Sequence, residues 1–470
     1  MSQRPKFDVA IVGAGAAGVL LANALVRPLA RLDVALIDPQ PGRGLAYGPG
    51  ADENLLNTRV GNMSLDGGAP SGFLDWLETY APRPQGWDEE DFAPRRLFGD
   101  YLEQRLRNLE NRTPGLGVTR VVHARASAAE QSDEGWSIAL PAGERLLADV
   151  LVLATGPSRP RPLLFHGRET VDGAVRDDPW DPAALQDLPA GATVLLVGTG
   201  LTALDTAAAI WRRNPEAKVI AVSRHGMLPR EHGSPPATAP VLKPPYPRTA
   251  RELYAKLRAA AEFVEGDPAM RHGVFLGLRE IAAELWANMP DDERLMFLRH
   301  FRRYWDVERH RAPPAQAEVI RAAMAAGRLE IVRGRVAEAR PAASGARVAL
   351  LTNEGPRALV AHRVINCTGP ESDPFRSRNP LLLDLLAQGT AAADPLGLGL
   401  HVDGDSAVLR SGGVAATGLY AMGVLTQGRF FEITAMAEIR AQAERLSALI
   451  LERIGQRERP PGPMLAANRA

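Results

Sequence analysis

A chain of 470 residues, 45% hydrophobic and 23% charged, can bury more than one core and is expected to form two or three domains. Lysine plus arginine balances aspartate plus glutamate at 55 each, so no global charge recruits nucleic acid or an anionic membrane. The single cysteine, Cys367, excludes intrachain disulfides, CxxC redox chemistry and a cysteine-rich metal centre, and no apolar run approaches the roughly 18 residues of a membrane span.

The first strand-like run, Phe7 to Val12, begins within a few residues of Met1, which leaves no room for a signal peptide and predicts a cytoplasmic protein. It is followed by Gly13-Ala14-Gly15-Ala16-Ala17-Gly18 and a helical run from Val19 to Val26. Strand, glycine turn and helix in that order are the context of a dinucleotide site. Gly13 permits the tight turn, Gly15 lets the backbone approach a pyrophosphate, and Gly18 lets the helix pack on the strand. A second strand, Asp33 to Ile37, delivers Asp38, whose carboxylate is placed to accept hydrogen bonds from ribose hydroxyls.

A proline-dense loop, Pro157 to Pro162, marks a crossover, and the same order then repeats. Thr193 to Val197 is a strand, Gly198-Thr199-Gly200-Leu201-Thr202 the turn, Leu204 to Trp211 a helix and Val219 to Val222 the next strand. Where the first unit has Asp38, the second has Ser223-Arg224-His225. An acid would repel a 2′-phosphate, whereas a guanidinium pairs with it, so this site is expected to prefer NADPH to NADH; Arg230 is a candidate to share or replace Arg224. Two further β-rich runs, Val150 to Ala154 and Val364 to Cys367, end in Thr155-Gly156-Pro157 and Thr368-Gly369-Pro370. Glycine at the carboxyl end of a strand lets backbone come close to a ligand, so both ends are candidates to flank a cofactor.

A proline-rich stretch from Pro235 to Pro247 leads into a helical section reaching about Arg321, read as an insertion. Its run Arg302-Arg303-Tyr304-Trp305-Asp306-Val307-Glu308-Arg309-His310-Arg311 is a candidate clamp for a carboxylate or for NADPH phosphates. Strands resume at Leu329 to Arg335 and Ala346 to Leu351. Near the C-terminus, the strand Leu419 to Val424 carries Gly423. It is followed by a loop with Leu425 and Thr426 and by a long helix from about Glu432, on which Met436, Ile439, Ala443, Leu446 and Ile450 form one buried face. The N-terminus of that helix is expected to point inward, where its dipole suits the negative charge of a reduced flavin. The histidines show no HxxxH or HExxH spacing, and no metal site is expected.

Together these features predict an α/β protein with two Rossmann-like domains: residues 1–165 and 361–470 as the two parts of an FAD domain, and 188–360 as an inserted NAD(P)H domain carrying a helical section at about 245–321. The chain resembles the bacterial FAD/NAD(P)-binding flavoproteins with two dinucleotide-binding domains, related to class B-type flavin monooxygenases that include amine N-oxygenases. The resemblance is carried by Gly42-Arg43-Gly44-Leu45-Ala46-Tyr47, Leu55-Leu56-Asn57, Met63-Ser64-Leu65 and Pro94 to Leu102. Further carriers are Gly198 to Thr202, Ser223 to Gly226, Tyr304 to Asp306 with Arg309 to Arg311, and Asn366 to Pro370. It implies that Arg43, Tyr47, Asn57 and Met63 line the flavin or its ribityl chain and that Arg125 lies where backbone meets adenine.

The resemblance implies FAD and NADPH as cofactors. The expected reaction is hydroxylation of a nitrogen or other heteroatom of a small molecule, an amine or amino acid among the candidates, with molecular oxygen through a C4a-(hydro)peroxyflavin. The FxGxxxHxxxW fingerprint of ketone oxygenation is missing. Two alternatives stay open: a reductase passing electrons to an organic acceptor or partner protein, and a non-catalytic flavin-binding sensor. A homo-oligomer is compatible with the sequence. No catalytic acid, base or nucleophile is assigned; Cys367 ends a buried-type strand and is expected to be inert.

Overall fold

In the computed structural model, which describes residues 6–26, 31–48, 54–111, 117–233, 242–264 and 266–457, the run KFDVAIV forms β1 (Lys6–Val12) with Val9, Ala10 and Ile11 inaccessible to solvent. A strand this continuously apolar belongs at the centre of a parallel sheet with both faces covered. The chain continues through α1 (Ala16–Val26), β2 (Val34–Ile37), α2 (Gly72–Tyr80), α3 (Arg95–Glu110), β3 (Thr119–Val122), the hairpin β4 (Ala128–Ser132) and β5 (Gly135–Ala139), and β6 (Arg145–Leu153). β1 lies parallel between β2 and β6, in register Ala10 to Ala35 and Ala10 to Leu151. α1 begins at Ala16, three residues ahead of the expected start, so the helix N-terminus directly abuts the glycine turn.

The second unit holds β7 (Val175–Arg176), β8 (Thr193–Val197), α4 (Leu201–Arg213) and β9 (Lys218–Ser223). Then come the helices α5 (Ala250–Phe263), α6 (Pro268–Glu280), α7 (Ala282–Asn288), α8 (Asp291–His300), α9 (Arg302–Arg309) and α10 (Pro314–Ala325). Four strands close it: β10 (Leu329–Ala342), β11 (Gly345–Thr352), β12 (Gly355–Ala361) and β13 (Arg363–Asn366). They build a seven-stranded sheet in the order β12-β11-β10-β9-β8-β13-β7.

Three boundaries differ from expectation. β13 lies between β8 and β7, so residues 363–366 belong to the second sheet and not to the returning first domain. β7 joins the same sheet, and Leu163 and Phe165 pack on its core, so this unit opens well before residue 188. α10 packs on α4 and β10 and is the crossover helix between the parallel strands β9 and β10, so the inserted section is α5 to α9. The proline-rich stretch expected at Pro235 to Pro247 lies partly outside the described residues.

The chain then returns through α11 (Pro380–Ala387), β14 (Ala407–Leu409), β15 (Ala415–Ala421), α12 (Gln427–Phe430) and α13 (Met436–Arg457). β15 pairs in parallel with β6, Leu419 to Leu151, completing the order β14-β15-β6-β1-β2-β3. The first domain is therefore discontinuous, as expected. Met436, Ala443, Leu446 and Ile450 of α13 are buried in the same core as Val19, Leu20 and Leu21 of α1. α5 to α9 carry their own core, around Trp286, Phe297 and Trp305, and it reaches Leu398 and Phe431 of the first domain.

Candidate functional site

The two glycine turns share one construction. Gly13 has φ of 106° and Gly198 φ of 124°, values that L side chains rarely adopt. A methyl group on Gly13 would overlap the carbonyl oxygen of Ala154 at the end of β6, and one on Gly198 would overlap the carbonyl oxygen of Cys367 just after β13. The two Thr-Gly-Pro segments thus stand beside the two turns, one in each domain. A Cβ built on Gly156, Gly200 or Gly369 meets only open space, so each leaves room above its strand end for a ligand.

At the first turn, Asp38 is half-buried and its carboxylate accepts the Ala14 N–H at 2.9 Å and the Gln40 N–H at 2.8 Å. These bonds fix the acid beside the turn and leave lone pairs for ribose hydroxyls. Gly44 closes over Gly15, where an added Cβ would lie 3.4 Å from the Gly44 Cα, and the Gly42 N–H donates to Ala14 O at 2.8 Å. Narrow backbone clearance, a helix N-terminus at Ala16 and an acid at Asp38 fit an FAD pyrophosphate and ribose.

The residues assigned to the flavin by resemblance spread more widely. Arg43 donates through Nε to Glu103 Oε1 at 2.7 Å and pairs with Asp100, so α3 holds it; the Glu103 hydrogen bond is the main cause of its raised pKa. Tyr47 packs edge-on against Phe98 with ring centres 4.8 Å apart, and burial pushes its hydroxyl up to about 12. The Asn57 carbonyl lies 3.0 Å from His232 Nε2, and Arg125 is exposed beyond β3. Met63 is 1% exposed in the core with Leu65 and Phe73, with almost no surface facing a ligand.

Ala16 and Ala17 are partly exposed at the start of α1, while Gly18 is buried where a methyl would overlap Gly13 O. Gly423 donates its N–H to Gln442 Oε1 at 2.8 Å and Thr426 its hydroxyl to Gly423 O at 2.8 Å. Thr426 is fully buried and Leu425 nearly so, and together they buttress the strand end from behind.

At the second turn, Ser223 Oγ shares a hydrogen bond with Thr199 Oγ1 at 2.9 Å and accepts the Gly226 N–H at 3.0 Å, tying the glycine loop to the end of β9. Leu201 and Thr202 open α4 and are partly exposed. Arg224 is exposed. Arg230 is exposed too, and its Nε donates to Glu308 of α9 at 2.6 Å.

Arg303 of α9, in the basic run that is a candidate clamp for phosphates, donates through Nη2 to Thr199 Oγ1 at 3.0 Å and to Met227 O. His225 is held below its usual pKa by partial burial and then by Arg224, Arg303 and Arg333. Among the described residues none of these three arginines forms an ion pair. Asp306 partly offsets Arg303, and the positive charge that remains at the carboxyl end of β9 is the electrostatic requirement of a phosphate site. The basic run in which Arg303 sits was the available signal.

Within that run Tyr304 stands 6.2 Å from His225, whereas Trp305 and Arg309 face the first domain. Trp305 Nε1 donates to Glu432 Oε1 at 2.7 Å and Arg309 Nε to Glu432 Oε2 at 2.8 Å, docking the helical section on the first domain. Cys367 is buried, its thiol within 3.7 Å of Thr206 Oγ1, and burial pushes its pKa up to about 12, so it is an inert core thiol. Among the described residues no group of histidine, cysteine and acidic side chains could hold a metal ion.

A FAD-NAD(P)-binding family matches residues 10–158. No curated protein matches the sequence. Among solved structures, the FAD-bound cadaverine monooxygenase of desferrioxamine biosynthesis from Erwinia amylovora aligns over 99% of each chain, with a TM-score of 0.67 and 15% identity. An ornithine hydroxylase from Pseudomonas aeruginosa aligns over 96% of this chain and 100% of its own, at 0.64 and 19%. The ornithine N-hydroxylase of Kutzneria sp. 744, with reduced FAD, NADP+ and L-ornithine, covers the same shares at 0.60 and 18%. The chain has the two-domain flavoprotein fold. In this flavoprotein fold the first sheet carries the family match, and the second sheet carries the arginine patch. Among the described residues no helix is long and apolar enough to cross a membrane.

Proposed function

We propose that the protein is an FAD-dependent, NADPH-consuming monooxygenase that hydroxylates a nitrogen, or another heteroatom, of a small molecule. One observation carries this reading: an acid, Asp38, at the first glycine turn and an arginine-rich patch, Arg224, Arg303 and Arg333, at the second. That asymmetry assigns the first turn to FAD and the second to a nucleotide bearing a 2′-phosphate. The similarity in fold to N-hydroxylating monooxygenases supports the oxygen-dependent reaction. Bound FAD supplies the redox chemistry between NADPH and oxygen.

The chain's own residues bind and orient. Asp38 would hold ribose and the N-terminus of α1 would meet the pyrophosphate, while Arg303, which fixes the Thr199 loop, would add charge for the 2′-phosphate. A dithiol relay is excluded, because Cys367 has no partner cysteine.

The test is spectroscopic and analytical. Purified protein should be yellow, bleach anaerobically with NADPH faster than with NADH, and recolour with oxygen. A panel of amines and amino acids should contain one that converts oxygen uptake into hydroxylated product. Stoichiometric peroxide with every substrate, and electron delivery to an organic acceptor instead, would replace this reading with a reductase. Protein that binds no FAD would end it.

A further inference from the structure

Beyond the cofactor sites, a charge imbalance that none of the proposed chemistry uses lies where α6 and α9 meet the loop after β9. Glu308 of α9 is 6% exposed and receives three guanidinium groups. Arg230 Nε and Arg271 Nη2 each lie 2.6 Å from its Oε1, and Arg311 Nη2 lies 3.3 Å from Oε2. One carboxylate neutralises one of them. Of the other nearby acids, Glu262 pairs with Arg258 at 2.6 Å and Glu231 with Arg321, while Asp267 caps α6, its Oδ1 accepting the Ala269 and Met270 N–H groups. Desolvation, with the repulsion of Arg230 and Arg271, holds Arg311 down to about 10, the expected response of a buried cation short of counter-charge.

The cluster forms part of the lining of a cavity of about 360 Å³, the remainder of which is largely aromatic. Tyr254 and Phe301 stack with ring centres 4.5 Å apart, and Tyr304 stands 5.9 Å from Tyr254. Charge and shape therefore specify a flat apolar ring with an anionic substituent. We propose that this cavity is a binding site for an aromatic carboxylate, the ring lying against Tyr254, Phe301 and Tyr304 and the carboxylate against Arg230 and Arg271. Bidentate guanidinium contacts suit a carboxylate and relieve the uncompensated charge.

The site adjoins the phosphate patch at Tyr304, 6.2 Å from His225, but uses other guanidinium groups: Arg230 and Arg271 face Glu308, and Arg303 does not. On α9, Tyr304 and Glu308 are four residues apart and share a face, whereas Arg303 turns to Thr199 on another.

The experiment is calorimetric titration of the full-length flavin-loaded protein with indole-3-acetate and, as its uncharged counterpart, indole-3-acetamide. The acid should bind saturably and about tenfold more tightly than the amide. Arg271→Gln, which leaves Arg230 and Arg311 to balance Glu308, should abolish that preference. Ala261→Phe, which fills the cavity from α5 without touching charge, should remove binding of both compounds. Saturating NADP+ should leave acid binding unchanged. Equal affinity for acid and amide, no saturable binding to the wild type, an unaltered preference in Arg271→Gln, undiminished binding in Ala261→Phe, or displacement by NADP+ would each overturn the proposal. Every readout is binding, so failure of the oxygenase reading would leave it intact.

Discussion

Arg95 at the start of α3 donates through Nη2 to Asp205 Oδ2 of α4 at 3.1 Å, joining the FAD-side domain to the helix that opens at the second glycine turn. Both side chains are largely buried, 15% and 9% exposed, and Gln316 Nε2 donates to the other carboxylate oxygen at 2.5 Å. Through α3 the same helix holds Arg43 by Asp100 and Glu103. A rigid line thus runs from the Gly42 to Tyr47 loop to the Gly198 to Thr202 loop. Arg95→Met should destabilise the protein by about 3–5 kcal/mol, because it strands the Asp205 charge in a desolvated site. Arg95→Met with Asp205→Leu should recover most of that stability in denaturant unfolding. If the pair sets the register of the two cofactors, NADPH-dependent flavin bleaching stays slow in the recovered double variant; full recovery of rate would show that the pair only stabilises.

Arg303→Gln and Arg224→Ala should each raise the Michaelis constant for NADPH by roughly 10- to 100-fold, the loss of one charged hydrogen bond, with little change for NADH. Parallel losses with both nucleotides would show that these arginines shape the loop instead of reading the phosphate. Arg303→Lys separates the two roles further, since an ammonium keeps the charge but cannot reproduce the fork that reaches Thr199 and Met227 together.

Arg303 also shows where sequence reading stopped. Each glycine turn, its strand and its helix lie within some twenty residues of one another, so their order alone pointed to both turns and to the acid that follows the first. Arg303 lies about a hundred residues from Thr199, and only the docking of α9 against the end of β9 brings them together. The Thr-Gly-Pro endings were legible as twins because they perform the same job in two domains. Which domain owned the second could not be read from it: β13 is assigned by pairing with β8, a non-local event. Met63 was placed by resemblance alone, which carries no burial; in the structure it packs with Phe73 and Leu65.

His232 and His272 predict the acid limit. Burial holds them down to about 3 and about 4, and each has a buried Nδ1 without a hydrogen-bond partner. The folded-state pKa is depressed, so the neutral rings are compatible with the fold above the unfolded value near 6.5, and stability is lost as pH falls from there towards 4. Each histidine should add about 1.4 kcal/mol per pH unit to the slope in that window. Unfolding free energy measured from pH 7 to pH 5 should show it, and His272→Phe should reduce the slope by one proton. An unchanged slope would mean that other groups govern acid unfolding.

The link between the helical section and the first domain carries the last prediction. Phe431 has φ of 51° and ψ of −68°, and Glu432 N–H donates to Phe430 O at 2.7 Å across it, a γ-turn of the strained hand. Such a conformation costs about 1–3 kcal/mol for a bulky residue and persists only where packing over-determines it. Here the ring stacks on Trp286 at 4.4 Å, Trp286 Nε1 donates to Gly428 O at 2.8 Å, and Glu432 is bound by Trp305 and Arg309. Phe431→Gly would relieve the backbone but empty the aromatic stack, whose loss is worth about 3–5 kcal/mol. Packing should win, leaving a net destabilisation of roughly 1–3 kcal/mol in denaturant unfolding. Trp286→Ala should cost more, since it removes the stack and leaves the strain in place. A Phe431→Gly variant more stable than the wild type would show that the strain outweighs the contacts that hold it.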